Sequence, residues 1–252
     1  MRGLRVAVVM VGLMALVGCQ REAVERVEWT TMGTVAAVQM RGGTDVALAS
    51  AREATRTLFD KVEKLLNAHA ADSEISQLAG RSDDDILASC DELVRPCYAA
   101  AFALTKQTDG AFNPRWRGPS TLDLGAIAKG FAVDLAAQSI ADGTMSGDFL
   151  VDLGGNLKAV RGDWTVGVQD GGSFVLREGE ACATSARYFR GNHIKDGRTG
   201  GDVSTAVHSV TVIHPTSAML ADGLSTVLFI LGREKGEDFV KKHYPNVRII
   251  WL

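Results

Sequence analysis

The chain has 252 residues, with 46% hydrophobic and 23% charged residues, which is ordinary globular material with enough apolar content for a real core. Its 27 basic and 30 acidic residues give a formal net charge of −3, and no basic cluster marks a nucleic-acid or anionic-membrane surface. No repeat, low-complexity stretch or proline-rich linker divides it.

The N-terminus reads as an export signal. Met1, Arg2 and Arg5 precede an apolar run from Val6 to Val17 that is short for a membrane span, and Leu16-Val17-Gly18-Cys19 follows. Small residues directly before a cysteine look like a bacterial lipobox. Residues 1–18 are therefore expected to be removed, and Cys19 to be lipid-modified and to tether residues 19–252 to the cell envelope, facing the periplasm. Gln20, where an aspartate is absent, favours the outer membrane. The mature chain would carry 25 basic against 30 acidic residues.

Val35–Met40 is strand-like after the Thr31-Met32-Gly33-Thr34 turn. Apolar residues at Leu48, Ala51, Ala54, Leu58, Val62 and Leu65 predict an amphipathic helix over 46–67, with Asp45 as its N-cap. Cys90 and Cys97 would be too far apart to bridge within one helix, whereas a break at Pro96 would leave a disulfide open. A second helix is predicted over 93–108, ending at Asp109-Gly110, and a third over 127–141. Short strands follow at 149–153, 157–160 and 164–169, with Gly154-Gly155 and Gly162-Asp163 as hairpin turns. Beyond them lie a strand at 208–213, an apolar helix at 217–231, a polar helix at 234–243 and a closing strand at 247–252. The order is not a regular βαβ alternation, so the expected class is α+β, one domain of mixed or antiparallel sheet packed with helices.

Chemistry-bearing residues fall in short stretches. Asp123-Leu124-Gly125-Ala126-Ile127-Ala128-Lys129-Gly130 puts a carboxylate, glycines and a lysine at a predicted helix start, where free N–H groups and Lys129 suit a phosphate; a plain N-cap aspartate with a surface lysine is the simpler alternative. Asp222 and Thr226 lie four apart on an apolar helix, so their oxygens share a face. A carboxylate there either binds a hard cation such as magnesium or points to solvent from the helix edge. His193, in the polar turn 192–200, is either a general base or a surface residue. His69, His208, His214 and His243 have no metal-ligand spacing with it, which argues against zinc.

Eight of these stretches, in order, resemble the successive signatures of the ApbE family. They are Thr31–Thr34, Asp72–Ser76, Thr108–Pro114, Asp123–Asp134, Val151–Asn156, Ala183–Ser185, His193–Gly200 and Ser209–Val212 running on to Ala221–Thr226. The resemblance implies a T-fold-like architecture and an enzyme, an FAD:protein FMN transferase, which uses magnesium to pass the FMN half of FAD to a serine or threonine of an acceptor flavoprotein subunit of a membrane electron-transfer complex. It implies FAD contacts at Met32, Ala111, Phe112, Asn113, Asp123, Lys129 and Ile194. Magnesium contacts are implied at Ala126, through its carbonyl, and at Asp222, Ser225 and Thr226. Catalytic roles are implied for Lys129 and for His193 as the base.

The chain departs from the family pattern in four places. Only Arg115–Leu122 separate Pro114 from Asp123, where the family has a longer strand-rich piece. His69 and Ala71 replace an aromatic residue and a proline, Asn113 stands where aspartate is common, and Gly197 where proline is usual. An FAD-holding carrier and a magnesium-dependent FAD pyrophosphatase are the alternative readings.

Overall fold

Neighbouring residues along the central strands bury into two different cores, and that alternation organises the molecule. Val151, Ala181, Ala183, Val210 and Val212 join the large cluster under the helices, while Leu150, Cys182 and Ile213 join a smaller one on the opposite face. A period of two places successive side chains on opposite faces, so the sheet is covered on both sides. The computed structural model describes residues 23–169, 171–187 and 194–252; the signal-like segment, Cys19 and His193 lie outside them.

The chain opens with β1 (Glu25–Thr31), β2 (Thr34–Arg41) and α1 (Asp45–Leu66), followed by α2 (Glu74–Leu78), α3 (Asp83–Ser89), α4 (Arg95–Gln107) and α5 (Ala128–Asp142). Strands β3 (Asp148–Leu153), β4 (Asn156–Ala159), β5 (Trp164–Val168), β6 (Gly172–Leu176), β7 (Ala181–Ala186) and β8 (Ser209–His214) come next. Helices α6 (Ala218–Leu231) and α7 (Arg233–His243) and strand β9 (Arg248–Trp251) close the chain. The main sheet runs β1-β2-β3-β4-β7-β8-β9, antiparallel throughout, and β5 and β6 form a separate two-stranded ribbon. Helices α1, α5 and α6 cover one face of the sheet; on the other, Trp164, Val166, Phe174 and Leu176 of the ribbon pack over Leu150, Cys182 and Ile213. The fold is α+β. Among the described residues no helix is long and apolar enough to cross a membrane.

Several expectations from the sequence need correction. Thr44, not Asp45, caps α1: its hydroxyl accepts from the Ala47 N–H, and Asp45 instead puts its charge in the first turn, where the helix dipole favours it. Strand β1, the short helices α2 and α3, and strands β6 and β7 are present as well and were not among the expected elements. Gly154-Gly155 does join a hairpin, β3–β4, whereas Gly162-Asp163 does not, because β4 pairs with β7 and the chain leaves the main sheet for the ribbon. Pro96 sits in the first turn of α4, where its missing N–H has no helical partner to lose, so it starts that helix rather than breaking it. Cys90 caps the end of α3, Cys97 lies inside α4, and both are free and buried.

Two contacts shape the end of the sheet at the β1–β2 and β3–β4 turns. Met32 has a left-handed φ of 47°, and Glu63 of α1 holds it there, accepting from the Met32 N–H and the Thr31 hydroxyl at 3.1 Å each. Gly154 has φ +60°, and a Cβ on it would meet Thr34 Oγ1 at 2.6 Å, so the β1–β2 and β3–β4 turns approach closely only through glycine.

Candidate active site

A cleft of about 910 Å³ opens at this end of the sheet, between the start of α5, the middle of α6, the ends of β4, β7 and β8, and the β5–β6 ribbon. Asp222 is the buried carboxylate of the cleft, 6% exposed. Its Oδ2 accepts from the Gly130 N–H at 3.0 Å and lies 3.8 Å from Lys129 Nζ. Burial pushes the Asp222 carboxyl above the usual carboxylate range, and the Lys129 charge and backbone N–H groups of α5 offset this only in part. Glycine at 130 is a steric requirement: a Cβ there would lie 2.1 Å from the Ala218 carbonyl oxygen and 2.8 Å from Asp222 Cβ.

A chain of hydroxyls runs from the Asp222 backbone along the same stretch of α6. Ser225 Oγ donates to the Asp222 carbonyl at 2.9 Å and shares a 2.9 Å bond with Ser185 Oγ, which is 3.4 Å from Thr226 Oγ1. Thr226, Ser185 and Ala126 line the cleft with Asp222, whereas Ser225 is buried behind them. Among the described residues no group of three or more histidines, cysteines or acids is poised to bind a metal. One carboxylate with hydroxyl and carbonyl oxygens is instead the donor set of a hard cation that takes its remaining ligands from water and phosphate. An under-neutralised buried carboxylate at the cleft wall fits magnesium.

Asp123 does not cap a helix, which was the simpler of the two readings of its stretch. Its Oδ1 accepts from the Gly125 N–H at 2.9 Å, its Oδ2 is 3.3 Å from Arg117 Nη2, and α5 starts later, with Ile127 in the cap position. Lys129 is therefore in the first turn of α5, donating to the Gly125 carbonyl at 2.9 Å.

The third wall joins two stretches far apart in sequence. Thr108 Oγ1 accepts from the Phe112 N–H, turning Phe112 and Asn113 into the cleft. The Gly197 N–H donates to the Ala111 carbonyl at 2.9 Å, and a Cβ on Gly197 would lie 2.4 Å from Asn113 Cβ. A proline there could not make that bond, which accounts for glycine at this position. This contact brings Ile194 and Lys195 to the cleft.

Of the residues expected at the site, Phe112, Asn113, Asp123, Ala126, Lys129, Ile194, Asp222 and Thr226 line one cleft. Ala111 is fully buried beneath it, and Met32 packs against the core with its N–H bound to Glu63, so neither is among the lining residues. Ser185, Thr184, Thr211, Trp116, Val166 and Phe174 also line it and were not anticipated. Ser185 had a signal in the Ala183-Thr184-Ser185 stretch; the ribbon residues had none, since their position depends on a pairing that is not local.

The model of the ApbE family matches residues 32–119 and 114–251 of this chain, and the two matches meet within the short 115–122 connection. An FAD:protein FMN transferase of Haemophilus influenzae is 33% identical over 150 residues, 51% of this chain and 43% of that protein. One from Klebsiella pneumoniae is 37% identical over 131 residues, 46% of this chain and 40% of its own length. The aligned part thus spans less than half the length of these curated relatives. Two solved structures share the fold: the flavin transferase ApbE of Vibrio cholerae (TM-score 0.72, 22% identity, covering 91% of this chain and 94% of that one) and the apo flavinyl transferase ApbE of Pseudomonas stutzeri (TM-score 0.74, 20% identity, 91% of each).

Proposed function

This chain belongs to the ApbE family, and we propose that it transfers FMN from FAD to a serine or threonine hydroxyl of an acceptor protein, releasing AMP. The observation that carries this reading is Asp222: a buried, under-neutralised carboxylate in a cleft that Ser185 and Thr226 also line, with Lys129 beside it.

In this reading Asp222 and Thr226, with the Ala126 carbonyl, would hold magnesium, and Ser225 would support them from behind. Magnesium there would supply Lewis-acid stabilisation of the charge that develops when the pyrophosphate of FAD breaks. Lys129, with its Nζ 3.8 Å from Asp222 Oδ2, meets the same phosphates. Phe112 and Ile194 give apolar surface to the flavin nucleotide, and Asp123 and Asn113 offer polar contacts. The acceptor oxygen attacks the FMN phosphorus, the bond from that phosphorus to the bridging oxygen breaks, and AMP leaves with that oxygen. The acceptor proton passes to His193, which precedes the cleft-lining Ile194 in the chain.

The lipobox-like Leu16–Cys19 supports a lipid tether at Cys19 in the cell envelope, with the acceptor a subunit of a membrane electron-transfer complex. Magnesium-dependent release of AMP from FAD by the purified protein tests the reading at its simplest. No AMP in the presence of magnesium and acceptor would reject it.

A further inference from the structure

Helix α6 carries Asp222, Ser225 and Thr226, so the position of its backbone sets the cleft. Its first turn is gripped by one carboxylate from another helix. Asp134 of α5 accepts from the Ser217 hydroxyl at 2.8 Å, the Ala218 N–H at 2.9 Å and the Met219 N–H at 3.0 Å. Lys158 of β4 donates to the same carboxylate at 2.7 Å and to the Thr216 carbonyl at 2.7 Å. His214 Nδ1 accepts from the N–H groups of Thr216 and Ser217. Helices α1, α2 and α3 begin with a local cap, a hydroxyl that accepts from an N–H three residues on. Helix α6 has such a cap in Ser217 and adds a carboxylate 84 residues earlier in the chain.

The spacing ties this grip to the cleft. Gly130 and Asp134 are four apart on α5, and therefore on one face. They meet α6 at Asp222 and Ala218, which are also four apart. The two helices are thus pinned at two levels one turn apart, which fixes both sliding and rotation of α6 against α5. A carboxylate is suited to the outer pin, because it satisfies first-turn N–H groups that have no helical acceptor and complements the helix dipole.

We propose that Asp134 is a positioning residue for the cation site, setting the place of Asp222 and Thr226 through the first turn of α6 without touching substrate. The inference rests on the reading of Asp222 as a metal ligand given above. It is tested with Asp134→Asn and Asp134→Ala, by hydrogen exchange of residues 218–220 and by binding of manganese(II), followed by electron paramagnetic resonance. Exchange protection should fall in the order wild type, Asn, Ala, since the amide keeps one acceptor oxygen. Manganese affinity should fall in the same order, by about 10–100-fold at the alanine, the scale of losing an outer support of a metal ligand. If the alanine variant does not fold, the asparagine variant carries the test through its intermediate position on both scales.

Wild-type affinity retained in both variants, with or without loss of protection, would overturn the proposal, since the grip would then be structural only. Failure of the wild type to bind manganese would instead reject the metal-site reading on which it rests.

Discussion

The Gly130 N–H donates to Asp222 Oδ2 at 3.0 Å, joining the first turn of α5 to the middle of α6 at the floor of the cleft. Because the Gly130 Cα also faces the Ala218 carbonyl, this contact is steric as well as polar. Gly130→Ala would place a methyl 2.1 Å from that oxygen, and the helices must part. We expect a loss of roughly 1–3 kcal/mol in stability, the scale of an overpacked core, measured by denaturant unfolding. Magnesium-dependent FAD turnover should fall more than the folded fraction does, because Asp222 moves with the helix.

Asp222→Asn separates function from stability. The amide keeps an oxygen for the Gly130 N–H but removes a charge that burial disfavours. Without metal the variant should melt at or above the wild-type temperature, and magnesium should raise the melting temperature of the wild type only. FAD turnover should drop at least 10²-fold, the scale of losing one electrostatic element of a transition state. A variant that melts lower without metal and still turns over FAD would remove Asp222 from the site.

Stability should also depend on pH through His214. Burial holds this imidazole below its ordinary value, Asp134 opposes that, and Lys158 reinforces it. Its Nδ1 accepts two N–H bonds, which the protonated ring cannot do. The neutral form is therefore the folded form. Its stabilisation is complete above the unfolded value of about 6.5 and is lost as pH falls from there through the lower folded value. Thermal unfolding between pH 8 and pH 5 should show this decline, and His214→Gln should reduce it. An equal slope in the variant would assign the decline to other groups.

The signals that were legible in the sequence are local ones. The stripe from Leu48 to Leu65 reads as a helix because its apolar steps are three and four, and Gly154-Gly155 reads as a turn because a glycine pair accepts the left-handed conformation that a tight turn needs. Asp222 and Thr226 were paired by spacing alone, and they do line one cleft. What was not legible is contact across the fold. Nothing local in Glu63 says that it holds the Met32 turn, and nothing in Asp134 says that it meets a helix start 84 residues later. Thr44 took the cap from Asp45 because the two differ by one position, where only backbone geometry decides.

The tether is tested separately from the chemistry. Cys19→Ser should release the protein from the membrane fraction or leave the precursor uncleaved, as seen by fractionation and intact mass. Identical soluble, processed forms of wild type and variant would reject a lipid anchor at Cys19.

The central claim is transfer to a protein, and intact mass spectrometry of an acceptor tests it most directly. With FAD and magnesium, an acceptor subunit bearing an exposed serine or threonine should gain the mass of FMN less water, with AMP released in equal amount. Omitting magnesium should stop both, and His193→Ala should slow both by roughly 10²–10⁴-fold, the range of a lost general base, while FAD still binds. Free FMN and AMP with an unlabelled acceptor would contradict transfer and mark a pyrophosphatase; FAD held tightly with no AMP under any condition would mark a carrier.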